Sequence, residues 1–149
     1  MEKPTESFQL AVKDSWKFAK DLNSNAITSA HILLAILQQD ESNITKIMNR
    51  LVADITEFQN SVSDAAQSSG TKAKLKSKSI FSRKVPQNSL ELTDEAETII
   101  ANAMKVSANR NESATITHII RGMLENSDSV AFSVLSNHLD IAHLKRELL

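Results

Sequence analysis

The chain writes one helix start twice. ITSAHILLAILQQ (Ile27 to Gln39) returns as ATITHIIRGMLEN (Ala114 to Asn126), with His31 and His118 in the same place. The match extends well beyond the histidines. Thr5 pairs with Thr93, Ala11 with Ile99, Val12 with Ile100 and Trp16 with Met104. After a one-residue slip Thr28 meets Thr115, Ile32 meets Ile119, Ile36 meets Met123 and Met48 meets Leu135. A second slip pairs Asp54 with Asp140 and Ile55 with Ile141. So many apolar positions kept in order identify an internal repeat, and units of this kind bury their apolar faces against each other.

Each unit reads as helical, because apolar positions recur three and four apart rather than alternating. Phe8, Ala11, Val12, Ser15, Trp16 and Ala19 make one stripe, with Thr5 as its N-cap, and Asn23 to Asn25 break the pattern. Further helices are expected over about 29–39, 43–51 and 54–66. The second unit follows with DEAETIIANAMKVSA, THIIRGMLEN, SVAFSVLSNH and DIAHLKRELL. Thr93 caps the first of these, and Asp94 and Glu95 favour the positive end of its dipole. The expected fold class is all-α, one domain over 1–149 built from two pseudo-repeats of about four helices each. Repeat one covers about 5–66, a flexible basic connector about 67–90 and repeat two about 91–149.

Several function classes are excluded by what is missing. A chain of 149 residues suits one compact domain or two small halves sharing a core. Its only glycines are Gly70 and Gly122, far apart. A phosphate-binding loop needs two close glycines so that backbone N–H groups can wrap a phosphate, and the dinucleotide fingerprint needs three. Cysteine is absent, which removes disulfides, thiolate nucleophiles and cysteine-held zinc. No apolar run approaches the roughly 18 residues that span a bilayer. The start, MEKPTESFQ, lacks the apolar core of a signal peptide. A cytoplasmic location without membrane contact is the expectation.

The candidate chemistry is thin. His138 and His143 lie five apart and face different sides of a helix, so they do not form one metal site. Nothing near His31 or His118 supplies a third ligand, and at a helix start an imidazole can bond locally while its ring packs on the apolar stripe. A structural role is expected for the pair. Asp40–Glu41 and Asp94–Glu95 are neighbours that diverge on a helix, which suits solvated surface rather than acid–base work. No G-x-S-x-G turn presents a serine. Trp16, the single tryptophan, is expected in the core. Catalysis, a cofactor and a metal are all not expected.

The connector, QSSGTKAKLKSKSIFSRKVPQNS, carries Lys72, Lys74, Lys76, Lys78, Arg83 and Lys84, with no acid from Ala65 to Leu90. Removing those six cations from a formal net charge of −1 leaves the rest of the chain at −7. Such a run can contact nucleic-acid phosphate or an acidic partner, but Phe81 is the only aromatic beside it for base stacking. A solvated linker is the favoured reading, and a small nucleic-acid-binding protein the rival.

The repeated signature resembles the Clp N-terminal repeat of the ATP-driven Clp unfoldases (ClpA, ClpB, ClpC and ClpV), whose second helix starts close to I-G-T-E-H-L-L-L-A-L-L. Ile27, Ser29, His31, Leu33, Leu34, Ala35 and Leu37 match in the first repeat, and His118, Ile119, Ile120, Gly122 and Leu124 in the second. The resemblance runs from Thr5 to Leu144 and implies an all-α domain that sits flexibly on an AAA+ ring. That domain docks unfolded segments or adaptor proteins, and the ATPase modules themselves lie outside this chain. The docking groove is expected near the repeat interface, with Thr28, Ala30, His31, Thr115, Thr117 and His118 as candidate residues. The family's glutamate before the histidine, which ClpC-type domains use to recognise phosphorylated arginine, is Ala30 here and Thr117 in the second repeat. A methyl or hydroxyl cannot replace charge-assisted hydrogen bonds to a guanidinium, so that mode of recognition is not expected.

Overall fold

The computed structural model describes residues 4–39, 43–72 and 91–148. They form eight helices: α1 (Glu6–Asp21), α2 (Ser29–Leu37), α3 (Asn43–Leu51), α4 (Ile55–Lys72), α5 (Asp94–Asn109), α6 (Ile116–Glu125), α7 (Val130–His138) and α8 (Ile141–Glu147). The only extended pairing among the described residues is one parallel bridge between Ile27 and Leu92.

Helix starts and stops follow local chemistry, and they do so in the same way in both halves. The Thr5 hydroxyl accepts from the Phe8 N–H at 3.3 Å, satisfying one of the donors that a helix start leaves unpaired. Phe8, Ala11, Ser15 and Ala19 are buried along α1, with Val12 and Trp16 half-buried against the core. Asn23 and Asn111 stand two residues past the ends of α1 and α5, each at φ 54°, the left-handed region that asparagine tolerates better than most residues. The chain then turns alike in both places. The Ser24 N–H bonds the Ala19 carbonyl at 2.8 Å, and the Glu112 N–H bonds the Ser107 carbonyl at 2.9 Å.

The centre of the molecule is α2, and all nine of its residues are buried. A helix apolar all round has no solvent face to offer, so its neighbours must enclose it. Here α1 and α4 make the most extensive contacts with α2, and α7 packs against it as well. The two halves are also tied by exchanged bonds. The Thr5 N–H donates to the Ala114 carbonyl, just before α6, and the Thr93 N–H donates to the Ile27 carbonyl, just before α2, both at 2.9 Å. Each half therefore holds the entry to the other half's second helix.

One boundary differs from the sequence expectation. The fourth helix does not stop near Ala66 but runs to Lys72. Phe58, Val62, Ala66 and Gly70, spaced four apart, form a single buried ridge that faces the α2 side. Tertiary packing thus overrides the loop-like composition of QSSG. A Cβ on Gly70 would lie 2.6 Å from the Ser24 Cβ and 2.9 Å from the His31 ring, so only glycine lets the backbone come this close. Its carbonyl accepts from the Asn25 N–H at 2.9 Å, while the Ile27 N–H bonds the Glu91 carbonyl at the far edge of the connector. Both edges thus meet the loop at 24–28. Lys74, Lys76, Lys78, Phe81, Arg83 and Lys84 lie outside the described residues, as does the Lys72 side chain.

Candidate functional site

The first helix start is enclosed. Thr28, Ala30 and His31 have 2%, 0% and 0% of their surface exposed. The Thr28 N–H donates to His31 Nδ1 at 2.9 Å, which places the ring proton on Nε2, and Nε2 then donates to Ser24 Oγ at 2.9 Å. Burial pushes the imidazole down to about 4, against a smaller upward pull from Glu95. The Ser24–His31 pair is not a nucleophile and base, because the nitrogen facing the serine already carries a proton. The Ser69 hydroxyl closes the cluster by donating to Thr28 Oγ1 at 3.1 Å. The end of α4 contributes to this enclosure, with Ser69 on Thr28 and Gly70 beside the His31 ring.

The second helix start repeats the cap but, among the described residues, is less covered. The Thr115 N–H donates to His118 Nδ1 at 2.9 Å, and Nε2 faces Glu112 Oε2 at 3.5 Å. Glu112 occupies the place of Ser24 and is exposed. His118, Thr115 and Thr117 are half-buried rather than enclosed. The imidazole stands at the third helical position and works as half of a capping box in both halves.

Two concave features adjoin this second start. Thr117 lines an open cleft of about 820 Å³ with Lys46 and Arg50 of α3 and Glu147 of α8, where Arg50 and Glu147 pair at 3.3 Å. His118 lines a narrow groove between α5 and α6, floored by Ala103, Val106 and Gly122 and edged by Asn102 and Arg121. A Cβ on Gly122 would sit 3.3 Å from the Ile99 carbonyl, so the glycine lets α6 rest close on α5. Val106 in the groove and Met104 elsewhere on α5 are each 37% exposed and are two of the three large exposed hydrophobics among the described residues. In the first half, α4 packs against α2 and brings Ser69 and Gly70 to Thr28 and His31.

Glu95 plays a part that its sequence neighbourhood did not suggest. Its carboxylate accepts from the Ser29 N–H at 2.8 Å, the Val130 N–H at 2.9 Å, the Thr93 hydroxyl at 2.8 Å and the Ser29 hydroxyl. One side chain near the start of α5 therefore caps the starts of α2 and α7. Asp40 and Glu41 lie outside the described residues. Among the described residues, no three of His, Asp and Glu gather as a metal site, and no helix is long and apolar enough to cross a membrane.

This arrangement has relatives among solved structures. The N-terminal domain of the caseinolytic protease associated chaperone ClpD from Arabidopsis thaliana superposes with a TM-score of 0.70 at 19% identity, covering 98% of this chain and 92% of that one. The Hsp104 N-terminal domain from Candida albicans gives 0.74 at 14% identity over 99% and 89%. The N-terminal domain of the ClpV1 ATPase from E. coli gives 0.64 at 17% over 97% and 82%. No curated protein matches significantly in sequence. The family model described as the Clp repeat (R) N-terminal domain matches residues 3–89, across the first repeat and the connector. With its duplicated capping boxes, its all-helical fold and that match, the chain belongs to the Clp repeat N-terminal domain family.

Proposed function

We propose that the chain is a non-catalytic docking domain that takes unfolded protein segments or an adaptor protein for an AAA+ ATPase module of the same or a partner chain. The observation that carries this reading is the groove between α5 and α6, where apolar Ala103 and Val106 stand with polar Asn102, His118, Arg121 and Glu125, open among the described residues. Sites for peptide segments combine such apolar groups with a few orienting polar ones. A tethered module also gains from effective concentration, so weak affinity for single segments suffices.

Binding of a casein-like unfolded protein tests the reading. Val106→Glu places a charge on the groove floor and is expected to weaken binding about tenfold. Replacing Lys72, Lys74, Lys76 and Lys78 by Ala is expected to leave it unchanged. The reverse pattern, with a salt-dependent DNA shift lost in the lysine variant, would overturn docking in favour of nucleic-acid binding.

A further inference from the structure

Helices α2 and α7 are tied at their starts by two side chains. The buried Ser29 hydroxyl accepts the Ala131 N–H at 2.9 Å and donates to Glu95. The Glu95 carboxylate also accepts the Val130 N–H at 2.9 Å and the Ser29 N–H at 2.8 Å. The first two N–H groups of α7, which an isolated helix leaves unpaired, thus end on a cluster that also holds α2. The second half repeats the plan with α3 and α6, but with other side chains. In the register that sets Thr5 on Thr93, Thr28 on Thr115 and Met48 on Leu135, Glu95 falls on Ser7 and Ser29 on Ile116. Serine brings no carboxylate, and isoleucine no hydroxyl.

The packing differs in the same sense. Helix α7 sits on α2, whereas α3 has no comparable packing on α6 among the described residues. An open cleft lies there instead, with Lys46, Asn49 and Arg50 on its α3 side and Thr117 on its α6 side. The Arg50–Glu147 pair joins α3 to α8, but the Arg50 side chain is 62% exposed, and exposed pairs hold weakly. Ile44 and Met48 stay buried on the inner face of α3.

We infer that α3 is the movable wall of this cleft, rocking on Ile44 and Met48 to widen or narrow the gap to α6, while Ser29 and Glu95 hold α7 fixed on α2. Apolar contact is non-directional and tolerates a small rotation, whereas the hydrogen bonds to Glu95 weaken as soon as their geometry changes. The motion does not depend on what the groove between α5 and α6 binds.

Spin labels measure it, because the chain has no cysteine of its own. Asn49→Cys with Glu125→Cys reports α3 against α6. Their counterparts in the repeat, Ser136→Cys with Gln38→Cys, report α7 against α2, and all four sites are exposed. The distance distribution of the first pair is expected to be about twice as wide as that of the second. Glu95→Gln is expected to widen the second and leave the first as it was. Ser29→Ala removes less of the cluster, should act in the same direction, and replaces the glutamine variant if that chain does not fold. Equal widths in the chain with Ser29 and Glu95 intact would overturn the inference. So would a Glu95→Gln or Ser29→Ala chain in which both distributions widen alike, the mark of general loosening, or in which neither changes.

Discussion

At the residue scale, His31 and His118 show how one cap is tuned by its second nitrogen. Both accept a backbone N–H at Nδ1, but Nε2 meets a buried serine in one case and an exposed glutamate in the other. His31 is the costly one to protonate, since its charge would sit in the core with a donor facing a donor. Its value of about 4 lies below the ordinary 6.5, so its contribution is complete above pH 6.5 and is lost as the pH falls toward 4. The difference corresponds to about 3 kcal/mol. Denaturant unfolding from pH 7 to pH 4 should show that slope in the native chain. It should be shallower in His31→Gln, whose side-chain oxygen can still accept the Thr28 N–H. An unchanged slope would refute the assignment. The residue before each histidine sets a second expectation. Ala30 is fully buried and Thr117 ends in a hydroxyl, so neither position offers a guanidinium the carboxylate that charge-assisted hydrogen bonds require. Phosphoarginine added to millimolar levels should therefore leave the amide spectrum of Thr117 unmoved. Saturable shifts there would contradict the argument. The cap itself was legible in the sequence, because Thr-x-x-His at a helix start is local chemistry. Its burial was not, because the covering residues come from α4.

At the scale of elements, the length of α4 is what separates the halves. The sequence reading ends it near Ala66, since serine, glycine and lysine favour loops when nothing packs on them. The line Phe58, Val62, Ala66, Gly70 was the available signal, and it crosses the boundary that composition suggests. Gly70→Ala isolates the effect. On an exposed helix this change stabilises by about 1 kcal/mol. Here the added methyl meets Ser24 and the His31 ring, and a net destabilisation of about 2 kcal/mol is expected in chemical denaturation. A stabilised variant would show that the helix end can move aside. Glu95 marks the other limit of local reading. An acid in the first turn of α5 looks the same whether it faces water or the starts of two other helices, and only the fold brings Ser29 and Val130 to it.

For the whole molecule, the exchanged bonds from Thr5 to Ala114 and from Thr93 to Ile27 make the halves interdependent. Helix α2 is buried by elements of both repeats, with α7 as well as α1 and α4 against it. The chain should therefore unfold as one cooperative unit. Trp16 fluorescence, which reports on the first half, and amide signals of α6 should share one denaturation midpoint. Residues 4–72 expressed alone should fail to give a cooperative transition. Two separate midpoints would show the repeats to be independent domains.

Periodicity, caps and the duplicated signature determined by themselves that the chain is helical, that its plan is used twice, and which residues start the helices. Those features act over three or four residues, the range at which a sequence constrains its own backbone. The sequence also separates an α2 that is apolar on every side from an α6 that carries Thr117, Arg121 and Glu125. Tertiary structure alone decided which elements enclose α2, because α4, α7 and the Glu95 cap come to it from distant parts of the chain.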